Sequence, residues 1–303
     1  MTSDSAYDPW PVLSGPAFAP TRHFLHMVLQ AVGKLKLSQP FQAQWAEVPL
    51  WLNARGLTTG PIPYARGAYE VRADFVTQQL HWLTSEGKSG CLAFGPTSVA
   101  AFVDGLLKGL RNAGIDASIN MKPQEIPDPI PFDEDTQPRA YDPAQVATWW
   151  RILLSVQRLM QAFQGRFTGK TQPIGLMWGT FDIRLPFYSG KPAQPAPDSG
   201  FIRRNCMNVE LMEMGWWPGD GSYPRPAFYA FTYPQPSGIE RAKIGPNAAR
   251  WDATMGEFLL DYDDLRQCAH PDGALLEFFA STYAAGANAA HWDPSLLGTG
   301  RTV

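Results

Sequence analysis

Cysteine is nearly absent. Cys91, Cys206 and Cys268 are the only three in 303 residues, and no two stand in a C-x-x-C pair. An odd, scattered set builds no disulfide framework and fits a reducing cytoplasm. Charge is thin as well, at 17 % of residues against about 25 % in an ordinary soluble chain. The net charge is −3 and no lysine or arginine run exists, which argues against a nucleic-acid partner, since phosphate binding needs a basic face. Long apolar runs are missing too. The most apolar helical stretch, Val146 to Phe163, is broken by Arg151, Gln157 and Arg158, so no segment is expected to span a bilayer. Residues 1–13 have no basic start followed by an apolar core, so no signal peptide is expected.

The strong catalytic motifs are also lacking: there is no G-x-G-x-x-G, no H-E-x-x-H and no G-x-S-x-G. Gly87-Lys88-Ser89 resembles the end of a phosphate-binding loop, but Trp82 stands where the first glycine belongs. It is a hairpin turn. No cofactor motif remains, and common nucleotide chemistry is not expected.

In place of charge the chain carries 28 prolines, 27 glycines and 11 tryptophans. This excludes coiled coil and collagen, and the aromatics supply enough apolar surface to argue against disorder. The prolines mark the organisation. Lys122 to Pro143 holds six prolines and six acidic residues, a composition that runs extended over a surface. It divides the chain into portions 1–121 and 144–303, with 122–143 as linker.

Both portions follow the same order. In the first, Thr21 to Leu37 has apolar residues Phe24, Leu25, Val28, Ala31, Val32 and Leu35 at helical spacing. Tyr69, Val71, Ala73 and Phe75 alternate with Glu70, Arg72 and Asp74, the period of a half-buried antiparallel strand. Thr97 or Ser98 caps a second helix that Gly114 closes. In the second, a helix from Pro143 to about Phe163 precedes strands over Gly175–Leu185, Asn208–Gly215, Ala227–Tyr233 and Glu257–Tyr262. A closing helix starts near Asp272. The expected fold is therefore α+β, two similar helix–antiparallel-sheet–helix portions. Their shared order suggests an internal duplication, with coincidence the alternative, and the seam between halves is the natural place for a pocket.

Several side chains carry chemistry. His26, Gln30 and Lys34 form a polar ridge on the first helix, with His23 three residues before His26; His26 is a candidate base or metal ligand, or a solvated or carbonyl-bonded imidazole. In the run Trp178-Gly179-Thr180-Phe181-Asp182-Ile183-Arg184, strand alternation sets Asp182 and Arg184 side by side, next to Trp178; they form a ligand clamp or a plain ion pair. Glu210 shares a strand face with Met212 and Met214, where desolvation would raise its pKa. Trp217-Pro218-Gly219 makes a rigid turn, and Tyr229, Phe231 and Tyr233 line the next strand. Arg55 with Thr58 and Thr59 presents donors to an anion, or caps a turn.

Leu25-His26, Gln30 and Gly33-Lys34, then Val48-Pro49-Leu50, Arg55-Gly56-Leu57-Thr58-Thr59 and Ile62-Pro63, are landmarks of a pattern. It continues through Trp178-Gly179-Thr180-Phe181-Asp182, Ser189-Gly190, Glu210, Gly215, Trp217-Pro218-Gly219, Phe228-Tyr229, Tyr233-Pro234 and Ser281-Thr282-Tyr283. The chain thereby resembles a bacterial domain family of unknown function, from which no activity follows. That pattern usually has histidines near Gly175 and at Val209 and an arginine near Phe187. Their loss here weakens a metal reading.

The expected function is binding of a small molecule in an aromatic pocket between the halves, extending to cofactor-independent acid/base catalysis. Glu210, Asp182 and His26 are its candidate catalytic groups, and Arg55, Trp178, Arg184, Trp217, Tyr229 and Tyr233 its candidate ligand contacts, with no metal. The alternatives are a non-catalytic peptide- or protein-interaction module, and a metal-dependent hydrolase built on His23 or His26.

Overall fold

The computed structural model describes residues 8–298, so part of the amino-terminal stretch searched for a leader, residues 1–7, lies outside them. Ser14 caps the first helix by accepting a hydrogen bond from the Ala17 N–H, and Pro16 occupies its first turn, where a missing N–H costs nothing. Helix α1 therefore runs Gly15–Lys34. It starts six residues before the expected Thr21 because Pro20 is absorbed inside it rather than preceding it. The stripe from Phe24 to Val32 is buried, as its spacing requires.

Six strands follow: β1 (Leu50–Leu52), β2 (Gly56–Thr58), β3 (Ile62–Tyr64), β4 (Gly67–Asp74), β5 (Gln79–Thr84) and β6 (Ser89–Ala93). On β4, Tyr69, Val71 and Ala73 are buried and their neighbours are not. The β5–β6 turn holds Gly87 at φ +85. Helix α2 (Val99–Asn112) is capped by the Ser98 hydroxyl and ends where Gly114 adopts φ +86. Residues 122–142 form neither helix nor strand, yet bury Phe132, Asp135 and Tyr141.

The second portion contributes α3 (Pro143–Gln164), β7 (Lys170–Thr171), β8 (Gly175–Met177), β9 (Asp182–Pro192), α4 (Phe201–Cys206), β10 (Val209–Trp217), β11 (Ala227–Tyr233), β12 (Arg250–Asp252), β13 (Glu257–Asp261), α5 (Tyr262–Arg266) and α6 (Pro271–Ala289). The expected continuous strand over Gly175–Leu185 is instead a hairpin, β8 and β9, turning at residues 178–181.

All thirteen strands belong to one antiparallel sheet, in the order β12-β13-β11-β10-β9-β8-β1-β2-β4-β5-β6, with β3 on β4 and β7 on β9. The halves join where β1 pairs with β8, Leu50 opposite Leu176 and Trp51 opposite Gly175. The fold is α+β. The long helices pack on one face of the sheet, over Leu57, Val71, Leu176, Ile183, Met214, Trp216 and Phe228. Because side chains alternate, the residues between these point to the other face. Successive register pairs trace one row across that outer face: Leu259, Tyr229, Gly215, Arg184, Gly175, Trp51, Thr58, Arg72, His81 and Cys91. Tyr229, Arg184, Trp51, Arg72 and His81 supply its aromatic and basic side chains. No helix among the described residues is long and apolar enough to cross a membrane.

Candidate functional site

The β8–β9 turn is held from the helix side. Trp178 lies flat on α1 at Gly33, where any Cβ would overlap its indole, and its Nε1 donates to the Val48 carbonyl at 3.0 Å. The His26 Nε2 lies 3.0 Å from the carbonyl oxygens of both Trp178 and Gly179. Phe181, at φ +62, is sandwiched between Trp149 (5.2 Å, 3° between planes) and His26 (4.7 Å). A left-handed conformation costs an ordinary L-residue about 1–2 kcal/mol, and this packing holds it. One turn along α1, the Gln30 amide pairs with the backbone of Gln124, accepting its N–H at 2.8 Å and donating to its carbonyl at 2.9 Å. Burial pushes the His26 imidazole down to about 4 despite its carbonyl partners, so the ring is neutral. His26 and Trp178 thus position the turn from the helix layer.

Asp182 emerges from that turn onto the outer face, 6 % exposed. Its carboxylate accepts from the Thr180 hydroxyl and from the Tyr229 hydroxyl at 2.5 Å. Tyr229 stands on β11, two strands away, and reaches Asp182 only because Gly215 lies between them. A Cβ on Gly215 would overlap the tyrosine ring. Arg184, two residues beyond Asp182 and on the same face, does not pair with it. Its Nη1 donates to Glu213 at 2.6 Å and its Nη2 to Gln172 at 3.0 Å. Glu213 also lies 3.4 Å from the Tyr229 hydroxyl. The result is a continuous network, Asp182–Tyr229–Glu213–Arg184–Gln172, beside the apolar patch of Trp217, Tyr229, Leu259 and Phe231.

The electrostatics follow from burial with too little counter-charge. Desolvation, reinforced by Glu213, raises Asp182 to about 6 against the pull of Thr180, Tyr229 and Arg184. Glu257 is raised to about 7 by desolvation and by Glu213, Asp182 and Asp252. Glu125, beside Gly179, is raised by burial and by Glu213, with Arg203 opposing. The Tyr188 hydroxyl is buried next to Arg184 and Glu213 and has no hydrogen-bond partner among the described residues. Two carboxyls raised toward neutrality, one of them hydrogen-bonded to a phenol, can give and take a proton.

The other expected site residues are spread more widely. Trp217 lies in the patch beside Tyr229, their ring centroids 5.8 Å apart. Tyr233 sits at the far end of β11 and donates to the Gln194 carbonyl. Glu210 does not join Asp182: Ile183 pairs with Trp216, so the two carboxylates lie near opposite ends of β10, about 23 Å apart at about 3.3 Å per residue. The register shifts at Glu210, where β9 places Ser189 to Lys191 opposite that one residue, and its carboxylate accepts from Ser189 at 2.8 Å, with Lys191 at 3.9 Å. Arg55 is on the first half of the sheet, paired with Asp74. The glutamate in the network is Glu213, which shares alternation with Gly215 and Trp217. Gln172, Glu257 and Glu125 joined through folding alone. Cys206 lies near the network, but burial raises its thiol to about 11, so it stays protonated. His23 is 3.9 Å from Asp135, and among the described residues no three His, Cys, Asp or Glu side chains are arranged to hold a metal ion.

A family model described as a family of unknown function, DUF5996, matches residues 10–299. No curated protein and no solved structure matches the chain.

Proposed function

We propose that this chain, which belongs to that family of unknown function, binds a small molecule carrying a basic nitrogen at the outer-face network, with Asp182 and Glu257 as its proton-exchanging groups. The observation behind this reading is the pair of carboxyls raised to about 6 and about 7, each of them partly by Glu213, on the sheet face opposite the long helices. Four acids, Asp182, Glu213, Glu257 and Glu125, stand among two arginines, Arg184 and Arg203. A bound ammonium would relieve their repulsion, and the rings of Tyr229 and Phe231 offer it an aromatic wall. No cofactor is required for proton transfer of this kind. The three free cysteines fit a cytoplasmic setting.

Native mass spectrometry of the untagged protein, followed by NMR titration with putrescine and arginine, tests the reading. A retained adduct or a saturable titration that disappears in both Asp182→Asn and Glu257→Gln is expected. An adduct-free protein that no amine perturbs would refute it.

One observation favours a second reading, a peptide-binding surface. Phe41 (53 % exposed), Trp45 and Phe201 (64 % exposed) form an edge-to-face cluster, with centroids 4.9 and 5.3 Å apart. Exposed aromatics in contact are a common recognition element.

A further inference from the structure

On the same outer face, three strands along the row from Arg184, the sheet of the first half forms a groove of about 540 Å³. At about 4.8 Å per strand this is about 14 Å from the acidic network. Arg55, Thr58, Glu70, Arg72, Asp74 and His81 supply its polar walls. Thr58, Arg72 and His81 are consecutive members of the row, so their side chains stand next to one another across β2, β4 and β5.

The hydrogen bonding of this groove is one-sided. Both oxygens of Glu70 are engaged, one by the Thr58 hydroxyl and the other by the Arg72 Nη2 at 2.6 Å. Both oxygens of Asp74 are engaged too. One accepts from the N–H groups of Val76 and Thr77, at 2.9 Å each, and the other from the Arg55 Nε at 2.6 Å. Each acid therefore acts as a brace that fixes the direction of a guanidinium. The arginines are far from saturated. Among the described residues, Arg55 spends only its side-chain Nε–H and Arg72 only one N–H of its Nη2, leaving four N–H groups on each. Both side chains are about half exposed. No hydrogen bond engages the His81 ring among the described residues. What the groove has left to offer is donors, held in place and opening into a space large enough for a small molecule.

We propose that this groove binds a small organic oxyanion, a carboxylate or a phosphate ester, gripped between Arg55 and Arg72 with Thr58 and His81 beneath it. The two ion pairs make the groove neutral before binding. Recognition thus comes from oriented N–H donors, the geometry in which guanidinium excels over ammonium. The site is separate from the amine site proposed above in both position and ligand charge.

The test is NMR titration of the arginine Nε–Hε resonances of the full chain with succinate, inorganic phosphate and glycerol. Saturable shifts of Arg55 and Arg72 with succinate or phosphate are expected, and none with glycerol; the tighter of the two anions identifies the ligand chemistry. Binding should weaken at least ten-fold in Arg72→Gln and in Arg55→Gln, and remain unchanged in Asp182→Asn. These arginines are surface residues, and unchanged backbone amide spectra elsewhere would show that each variant is folded. The proposal is overturned if neither anion gives a saturable shift, or if both arginine variants bind as the parent does.

Discussion

Replacing Asp182 by asparagine should make the protein more stable at neutral pH relative to acid, and the size follows from its environment. The carboxyl is raised from 3.8 to about 6, chiefly by desolvation. At about 1.36 kcal/mol per pH unit this amounts to about 3 kcal/mol. The native state holds the proton more tightly than the unfolded chain. The contribution is therefore fully present below about pH 4 and is lost as pH rises through about 6. The substituted amide cannot ionise, so the stability of the parent minus that of Asp182→Asn should fall by about 2 kcal/mol between pH 4 and pH 7, the greater part of that total. Part of the variant's gain is offset by a weaker hydrogen bond to Tyr229, which costs about 1 kcal/mol at all pH values and leaves the slope intact. Subtracting the variant matters because His26 works in the opposite direction over the same range, and both proteins carry it. Urea unfolding followed by tryptophan fluorescence, at half-unit steps from pH 4 to pH 8, measures the difference. Parallel stability curves for the two proteins would show that Asp182 is not held protonated by its surroundings.

His26→Gln retains a donor for the Trp178 and Gly179 carbonyls but has nothing to protonate. The parent's imidazole is lowered from 6.5 to about 4, so its contribution is present above pH 6.5 and is lost as pH falls toward 4, about 3 kcal/mol in all; urea midpoints should show this acid-side loss only in the parent. Gly215→Ala drives the Tyr229 ring off its position. A drop of about 1–3 kcal/mol in unfolding free energy is expected, with a changed Asp182 titration in carboxyl ¹³C NMR.

The local parts of this molecule were legible in its sequence, and the parts made by distant contacts were not. Alternation on β4, the Ser98 cap, the Gly114 stop and the shared face of Asp182 and Arg184 depend on residues a few positions apart, and each is present in the fold. Glu210 and Glu213 show where that logic fails. Opposite Glu210 the partner strand β9 carries the three residues Ser189 to Lys191, a shift of register, and nothing in the local pattern of β10 announces it. The ridge of His26 and Gln30 was visible on the helix, but its partners lie at Trp178, Gly179 and Gln124. Only packing could show that the imidazole clamps a turn instead of facing a ligand. The joining of the two sheets was equally hidden, because β1 and β8 are three residues each, too short for a period to register.

That junction has a mechanical consequence. Seven register pairs tie β9 to β10, whereas two tie β1 to β8 and two tie β1 to β2. Ladders that thin make β1 the most compliant line across the sheet. Thermal bending will therefore concentrate there, leaving the wings on either side comparatively stiff. The arginine groove rides on one wing and the carboxyl network on the other, so the angle at this waist sets how the two confront each other. The brace across it is α1, which grips the second wing through Trp178 against Gly33 and the His26 contacts. The buried imidazole and indole thus act as a stay on the joint between the wings.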